Sequence, residues 1–303
     1  MSKQITDQRR PMTYQELLAV WRACLTRTGF TDPHESVIDE LVAYSGLPED
    51  RVRWISEHSS EISQEKWVGV DKSSPESMAT FYQRLDNLIF GTLRYHAEQA
   101  LGRAQAKTVE VAQGLAHLTP GAYLDFGCGA GTAGLFFHAL GWKVALADVS
   151  EPSLNFVRWR FQQRQIPGTF YHLGNDDLPA NAFDLITAVE VMVHIPDIQE
   201  ALRQLHRSLK PGGLLVFDID NRPSSDPDKW HLYTEQYPVL RQVRRAGFRR
   251  CPRIAQFHVY QKVDRSLLST VIVGLLDALR YNRLTSTIGR QLRGMKYAAR
   301  HVC

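Results

Sequence analysis

Leu124-Asp125-Phe126-Gly127-Cys128-Gly129-Ala130-Gly131-Thr132 is the stretch that decides the fold of this chain. It joins a short apolar strand, AYLDF, to a helix that the pattern predicts from Thr132. Alternating glycines let the backbone turn sharply and approach a ligand without interference from a Cβ atom. The helix start beyond them supplies unpaired N–H groups. The stretch therefore predicts a ligand-binding loop, with a tight turn that binds nothing as the alternative.

Strands and helices alternate after this loop. The segments WKVALADV, GTFYHL, AFDLITAVEV and LLVFDID predict four further strands, and helices are predicted between them. Additional strand candidates lie around Phe248 and over residues 257–263. This alternation is typical of the α/β class, and it predicts a Rossmann-like, parallel-rich sheet of about seven strands with helices on both faces. Such sheets bind ligands at the carboxyl ends of their strands.

An N-terminal helical region precedes the sheet. Apolar residues at helical spacing predict helices from Thr13 to roughly Ala116, interrupted by a polar loop from Lys66 to Ser77. We expect these helices to pack over the carboxyl ends of the strands and to form one wall of an acceptor pocket, because the chemistry proposed below needs a dry site. The competing interpretation is a detached binding module.

Three regions follow from this division. Residues 1–116 form a helical substrate or lid region, residues 117–264 a Rossmann-like core, and residues 265–303 a basic amphipathic helical segment. The last segment suits peripheral contact with an anionic membrane, cover of the substrate pocket, or packing against a second copy in a homodimer. Packing is the interpretation that we favour.

Composition narrows the function classes. The 303 residues carry a net charge of +4, which does not point to nucleic acid. The stretch that ends at Glu57 superficially resembles a DNA-binding helix-turn-helix. Its second helix, however, carries Glu49, Asp50 and Glu57, which would repel phosphates. Four scattered cysteines without CxxC pairing indicate neither a zinc site nor a disulfide framework, so we expect a reducing, cytoplasmic setting. We see no signal peptide and no apolar run long enough to span a bilayer.

The GxGxG spacing resembles the first motif of class I S-adenosylmethionine-dependent methyltransferases. The resemblance extends from Gly121 to about Ile219 and is closest to small-molecule enzymes typified by those of quinone biosynthesis. GNDDLPANAFDLI resembles the third motif of the family, AVEVMVHIPDI the fourth, and LHRSLKPGGLLVFD the segment that follows. A dinucleotide fingerprint would instead need glycine or alanine where this chain has Thr132.

The resemblance implies S-adenosyl-L-methionine as the cofactor and a set of residues that bind it. Asp125 would place the methionine part, and Asp148, at the end of the next strand, would accept the ribose hydroxyls. The adenine would meet Asn175 and Asp176, although Asp177 stays open because this segment is one residue short. The predicted cofactor-binding residues are Asp125, Gly127, Cys128, Gly129, Asp148, Asn175, Asp176, Glu190 and Tyr82.

Methyl transfer depends mostly on aligning the nucleophile and excluding water, and an oxygen nucleophile gains from a general base. His194, just past the fourth strand, is the candidate base, and packing of its loop is the alternative role. His96 and His231 are further candidates to face the pocket. Glu190 would line the pocket, and Tyr82 would cover the cofactor or pack in the core.

We predict no metal, because no HExxH, paired-cysteine or clustered-carboxylate motif is present. Asp218 and Asp220 alternate at a strand end and could bind Mg²⁺, but no third acidic partner is identified. The predicted function is methyl transfer to an oxygen, nitrogen or carbon of a small organic acceptor, in a biosynthetic pathway. The alternatives are an RNA or protein methyltransferase that uses the N-terminal helices for recognition, and a non-catalytic S-adenosylmethionine-binding protein. No NPPY-type tetrapeptide follows the fourth strand, which counts against the first alternative.

Overall fold

The structure is a computed structural model that describes residues 10–219, residue 232 and residues 236–263. Its strands form one seven-stranded sheet in the order β3-β2-β1-β4-β5-β7-β6. The strands are β1 (Ala122–Phe126), β2 (Lys143–Asp148), β3 (Thr169–His172), β4 (Phe183–Ala188), β5 (Leu209–Phe217), β6 (Phe248–Arg250) and β7 (His258–Lys262). The first five pair in parallel, whereas β7 is antiparallel to both of its neighbours. The predicted α/β, Rossmann-like fold is confirmed.

Helices cover the sheet and also precede it. The N-terminal helices are α1 (Tyr14–Leu25), α2 (Pro33–Ser45), α3 (Glu49–Glu57), α4 (Ser59–Val68), α5 (Pro75–Gln83), α6 (Leu88–Ala100) and α7 (Lys107–Gly114). The helices after β1 are α8 (Thr132–Ala139), α9 (Glu151–Gln163), α10 (Ile198–Ser208) and α11 (Gln236–Arg245), together with a 3-10 turn over Met192–His194. No helix of the described residues combines the length and the apolar character that crossing a membrane requires. The predicted C-terminal segment, residues 265–303, lies outside the described residues.

Two boundaries differ from the prediction. The polar loop expected from Lys66 to Ser77 is shorter, because α4 continues to Val68, with Trp67 buried, and α5 begins at Pro75. Proline fits the first turn of a helix, since that N–H has no helical partner to lose. The strand predicted over LLVFDID begins earlier, because Leu209 already pairs with Phe183, so that Lys-Pro-Gly-Gly lies inside β5 where the register shifts. The bulge absorbs the turn residues without ending the strand.

Two apolar layers pack on opposite faces of the sheet. Successive β1 residues Tyr123 and Leu124 belong to different buried clusters, as the period of two along a strand requires. The first layer contains α8, α9 and much of the N-terminal region, and Trp21 of α1 meets Phe136 of α8 edge to face with ring centroids 5.5 Å apart. The second layer contains α10 and α11. The N-terminal helices therefore share a core with the sheet.

A buried ion pair joins the N-terminal helices to α9. Glu40 of α2 and Arg160 of α9 are both fully buried, and the Arg160 Nε donates to both carboxylate oxygens at 3.2 Å. Arg164 donates to the same carboxylate. Burial alone would raise the pKa of Glu40, but the charges and hydrogen bonds of the two arginines hold it below its ordinary value. Glu40 is therefore charged in the folded protein at neutral pH.

We expect Glu40→Gln to lower the free energy of unfolding by about 3–5 kcal/mol, because it leaves a buried guanidinium without a countercharge. Urea titration at pH 7 measures this effect. Glu35→Gln is the control, since Glu35 pairs with Arg53 at the surface, where the Glu35 side chain is 50% exposed. An exposed pair contributes under about 1 kcal/mol. Equal losses in the two variants would contradict a structural role for the buried pair.

Candidate active site

A cavity of about 810 Å³ lies at the carboxyl ends of the strands, between the sheet and helices α5 and α6. The sheet side of its lining contains seven of the predicted residues, namely Asp125, Gly127, Cys128, Gly129, Asp148, Glu190 and His194. From the N-terminal region the lining includes Tyr82, Leu85, Leu88, His96 and Lys107. The fold thus brings most of the predicted site residues to one cavity.

The glycine loop supplies the floor of this cavity. Gly127, Gly129 and Gly131 have φ angles of +74°, +50° and +69°, which disfavour residues with a Cβ atom. The N–H groups of Gly127 and Cys128 donate to the Ala147 carbonyl of β2 at 2.8 and 3.0 Å. A Cβ atom at Gly129 would meet no protein atom within 4 Å, so this position opens into free space. A ligand can therefore approach the backbone closely at Gly129.

Asp148, the last residue of β2, is hydrogen-bonded to the glycine loop. Its Oδ2 accepts the Gly129 N–H at 2.8 Å and its Oδ1 accepts the Ser150 N–H at 2.9 Å. Burial raises the pKa of this carboxyl, while the backbone hydrogen bonds oppose the rise. Each carboxylate oxygen can accept a further hydrogen bond. The two oxygens suit a pair of neighbouring hydroxyl groups, as in a ribose.

Asp125 is a buried acid with one unpartnered oxygen, near the end of β1. It lies on β1 between Leu146 of β2 and Thr187 of β4 and is 6% exposed. Burial, followed by the charge of Asp148, raises the pKa of Asp125 to about 7. Its Oδ2 is buried without a hydrogen-bond partner among the described residues. An acid left in this state favours a ligand with a cationic donor.

Glu190 holds an ion-pair cluster at the ends of β4 and β5. Its φ of +60° is unusual for a residue with a side chain, and its N–H donates to Asp218 Oδ1 at 2.6 Å. Lys107 Nζ donates to Glu190 Oε1 at 2.8 Å and to Asp218 Oδ2 at 2.9 Å. Burial acts to lower the pKa of Lys107, but the two carboxylates raise it above its ordinary value. Lys107 therefore stays charged and fixes the N-terminal region to the strand ends.

This cluster changes the interpretation of Asp218. The sequence left it as a possible Mg²⁺ ligand with Asp220, but both of its carboxylate oxygens are engaged by Lys107 and Glu190. Asp220 lies outside the described residues. Within the described part of the chain, no group of three or more His, Cys, Asp or Glu residues is arranged to hold a metal ion.

His194 and Tyr82 meet across the cavity. His194 ends the 3-10 turn after β4, and its Nδ1 lies 3.2 Å from the Tyr82 hydroxyl of α5. Burial raises the pKa of Tyr82 well above its ordinary value, so the phenol keeps its proton. His96 also lines the cavity, whereas His231 lies outside the described residues.

The predicted adenine contacts lie beside the cavity. Gly174 belongs to the lining, but Asn175 and Asp176 do not, and both are exposed. Asp176 Oδ2 accepts the His172 N–H at 2.7 Å, which turns the carboxylate back toward β3. Asp177 pairs with Arg207. An adenine-binding role for Asn175 and Asp176 therefore stays a prediction.

Sequence reasoning missed Lys107, Glu40 and Arg160. Lys107 begins α7 after a helix break, a position at which a lysine has no distinctive pattern. Glu40 lies among the buried residues of α2, between Ile38 and Leu41. Arg160 lies among the buried residues of α9, beside Phe161. A charge on a buried face is the signal that would have identified these two residues.

The comparisons with known proteins agree on one family. The model of a family described as "Methyltransferase domain" matches residues 96–261. Similar curated proteins include the ubiquinone biosynthesis O-methyltransferase of Chromobacterium violaceum, 30% identical over 102 residues, which are 33% of this chain and 44% of that protein. The same enzyme of Coxiella burnetii is 32% identical over 113 residues, 37% of this chain and 47% of that protein. The chain thus spans just under half the length of these relatives.

Solved structures that are similar to this one include phosphoethanolamine N-methyltransferase 2 of Haemonchus contortus in complex with S-adenosyl-L-methionine. It is 18% identical, has a TM-score of 0.42, and the match covers 48% of this chain and 37% of that one. A SAM-dependent methyltransferase of Aquifex aeolicus is 19% identical with a TM-score of 0.37, over 46% of this chain and 80% of that one.

The raised pKa of Asp125 predicts how stability depends on pH. Its folded pKa of about 7 lies above the ordinary value of 3.8, so its contribution to stability is complete below pH 4 and is lost as pH rises through 7. Asp125→Asn should therefore gain stability relative to the wild type as pH rises from 5 to 7, by up to about 1.4 kcal/mol per pH unit, and should keep that gain at pH 8. Urea titrations of both proteins at these three pH values measure this gain.

The control is Asp184→Asn. Burial acts to raise the pKa of Asp184, but its bonds with Lys210 and the Ala122 N–H lower it overall. The contribution of Asp184 to stability is then present at high pH, so the control variant should lose stability at pH 8 rather than gain it. Parallel pH dependence of Asp125→Asn and the wild type would show that Asp125 titrates normally.

Proposed function

Since the chain belongs to the methyltransferase domain family of class I S-adenosylmethionine-dependent enzymes, we propose that it methylates a small organic acceptor. The methyl group of S-adenosyl-L-methionine goes to an oxygen, nitrogen or carbon of that acceptor, in a biosynthetic pathway. The observation that carries the proposal is the buried, unpartnered Oδ2 of Asp125 beside an open glycine loop. An amino-acid ammonium group supplies the cationic donor that this oxygen lacks.

The charge of the cavity supports a cationic cofactor. Its described lining contains six acidic residues and a single lysine, with no arginine; the acids are Glu76, Asp125, Asp148, Glu190, Asp197 and Glu200. S-Adenosyl-L-methionine carries a sulfonium and an ammonium group against one carboxylate. Two of the acids, Asp125 and Asp148, are more than nine-tenths buried, where their charges are poorly screened. The cofactor reduces the repulsion between them on binding.

Each part of the cofactor has candidate partners. Asp125 would hold the ammonium group, the backbone at Gly127, Cys128 and Gly129 would follow the chain to the ribose, and Asp148 would accept the ribose hydroxyls. Asn175, Asp176 and Tyr82 stay proposals for the adenine end. When bound, the cofactor supplies a methyl group that its sulfonium already activates. The protein has to align the acceptor with that methyl group and exclude water.

Tyr82 and His194 are suited to proton removal from an oxygen acceptor. If His194 donates its Nδ1–H to the Tyr82 oxygen, the ring is the tautomer that carries its lone pair on Nε2, which is the form that a base requires. Tyr82 retains its own proton and stays neutral. Its hydroxyl can therefore orient the His194 ring through a hydrogen bond. A positioned general base contributes roughly a hundredfold to ten-thousandfold in rate. His194 is accordingly the proposed base, with Tyr82 as its orienting partner.

The walls around His194 indicate the kind of acceptor. Next to His194 in the chain, the described lining combines the apolar residues Val191, Val193, Ile195 and Pro196 with the acids Asp197 and Glu200. Apolar walls favour an acceptor with a hydrophobic body and a few polar groups. Residues of α5 and α6 line the same cavity, which supports the proposal that these helices keep water away from the acceptor.

We expect Gly129→Val to abolish binding of S-adenosylhomocysteine while the protein stays folded, because a branched Cβ would occupy the space through which the ligand approaches the backbone. Gly102→Val is the matched control, since Gly102 has a φ of +71°, also opens into free space and is not part of the cavity lining. Calorimetry measures binding, and circular dichroism checks the fold. Retained affinity in Gly129→Val, or NADH binding by the wild type without S-adenosylhomocysteine binding, would refute the assignment.

Turnover tests the function itself. A panel of phenols, catechols, primary amines and activated methylenes is incubated with S-adenosyl-L-methionine, and released S-adenosylhomocysteine is quantified. For an oxygen acceptor, His194→Gln should lower kcat at least a hundredfold without changing the affinity for S-adenosylhomocysteine. The control is His117→Gln, because His117 is exposed and is not part of the cavity lining. Unchanged kcat in His194→Gln removes the base role, and cofactor binding without turnover of any acceptor class favours a non-catalytic protein.

A further inference from the structure

A chain of hydrogen-bonded side chains runs from α2 to the cavity wall. Glu40 accepts from Arg160, and Arg160 Nη1 donates to Thr132 Oγ1 at 2.8 Å and to the Ala130 carbonyl at 2.9 Å. Thr132 Oγ1 in turn lies 2.9 Å from Nδ1 of His96. Glu40, Arg160 and Thr132 are fully buried, whereas His96 reaches the cavity. We call these four side chains the Glu40–His96 relay.

The direction of these hydrogen bonds fixes the ring proton of His96. A guanidinium group only donates, so Thr132 Oγ1 accepts from Arg160. Among the described residues, the one remaining side-chain partner of this hydroxyl is His96, so its single proton points to Nδ1. Nδ1 accepts only when it carries no proton, which places the ring proton on Nε2. With Nδ1 turned to buried Thr132, the Nε2 edge is left for the cavity.

The surroundings keep this ring neutral and in place. Burial, followed by the positive charge of Arg160, lowers the pKa of His96 to about 3. Trp21 packs against the ring at an angle of 73°, with 5.1 Å between centroids, and donates to the His96 carbonyl at 3.4 Å. A neutral ring of such low basicity is a poor proton acceptor near pH 7. His96 is therefore poorly suited to act as a base, whereas its N–H group can donate a hydrogen bond.

His96 and Asp125 lie on either side of the glycine loop. Thr132, the partner of His96, is the first residue of α8, and Asp125 lies near the end of β1, just before the loop. Both side chains line the cavity. Asp125 presents an unpartnered carboxylate oxygen, and His96 presents an N–H donor. An ammonium and a carboxylate on one carbon atom, as in an α-amino acid, complement this pair.

We propose that His96 is a fixed Nε2–H donor to the carboxylate of the amino-acid part of the cofactor, and that Glu40, Arg160 and Thr132 are its positioning residues. The proposal rests on the proposed function, since it assigns one contact to the same cofactor. It also makes the N-terminal helices α2 and α6 a working part of the cofactor site. An oxygen atom of the acceptor is the other group that such a donor would bind, and the ligands in the test separate the two.

The first measurement is the tautomer of His96. Nitrogen-15 NMR of the full-length protein, with the signal assigned by its loss in His96→Phe, should show the proton on Nε2 both without ligand and with S-adenosylhomocysteine. Thr132→Val keeps the shape but removes the hydroxyl, so the ring should become a mixture of tautomers. Thr132→Ser keeps the hydroxyl and should restore the wild-type spectrum. A proton on Nδ1 in the wild type would overturn the relay.

The second measurement uses two ligands that differ in the amino-acid part. His96→Phe and Thr132→Val should weaken binding of S-adenosylhomocysteine roughly tenfold to a hundredfold. Binding of 5′-methylthioadenosine, which lacks the amino-acid part, should not change, and Thr132→Ser should bind both ligands like the wild type. Equal losses for the two ligands, or a raised KM for the acceptor with unchanged cofactor affinity, would overturn the carboxylate contact. A wild-type protein that binds neither ligand would instead overturn the proposed function together with this inference.

Discussion

The guanidinium group of Arg160 links the parts of this molecule that have to stay in register. It is fully buried, and its Nε and Nη1 atoms bind Glu40 of α2, the Ala130 carbonyl of the glycine loop and Thr132 at the start of α8. Removing such a charge from water is costly, and the cost is offset only while all of these partners are in place. The position of the glycine loop thus depends on a helix that precedes the sheet by some eighty residues.

The acids at the strand ends are compensated unequally. Asp125 and Asp148 lie close enough for the charge of one to raise the pKa of the other, and both are buried. Asp218 and Glu190 have the partly buried Lys107 between them, but Asp125 has no such countercharge among the described residues. A site that holds one uncompensated acid gives up stability of the free protein in favour of cationic ligands. The glycine loop keeps a backbone path open toward that acid.

The sequence predicted the features that depend on local pattern. Alternating apolar segments located the strands, and the glycine spacing with Asp148 located the cavity, because strand ends and turns follow from nearby residues. The pairing of Glu40 with Arg160 could not be found in this way, because 120 residues separate them, and a charge on an apolar helix face marks a buried residue without identifying its partner. The direction of the Asp176 side chain depends on a single backbone N–H of His172, a detail that no residue spacing specifies.

Lys107 has a consequence for the order in which the protein forms. Its two carboxylate partners lie 83 and 111 residues further along the chain, so a ribosome exposes the lysine long before either acid. Closing loops of this length is entropically expensive, and contacts of such separation form late. The N-terminal helices therefore emerge with Lys107 still hydrated, and the ammonium group leaves water only once β5 has joined the sheet. The part of the cavity wall that Lys107 and its two acids form can be completed only then, after most of the chain has been synthesised.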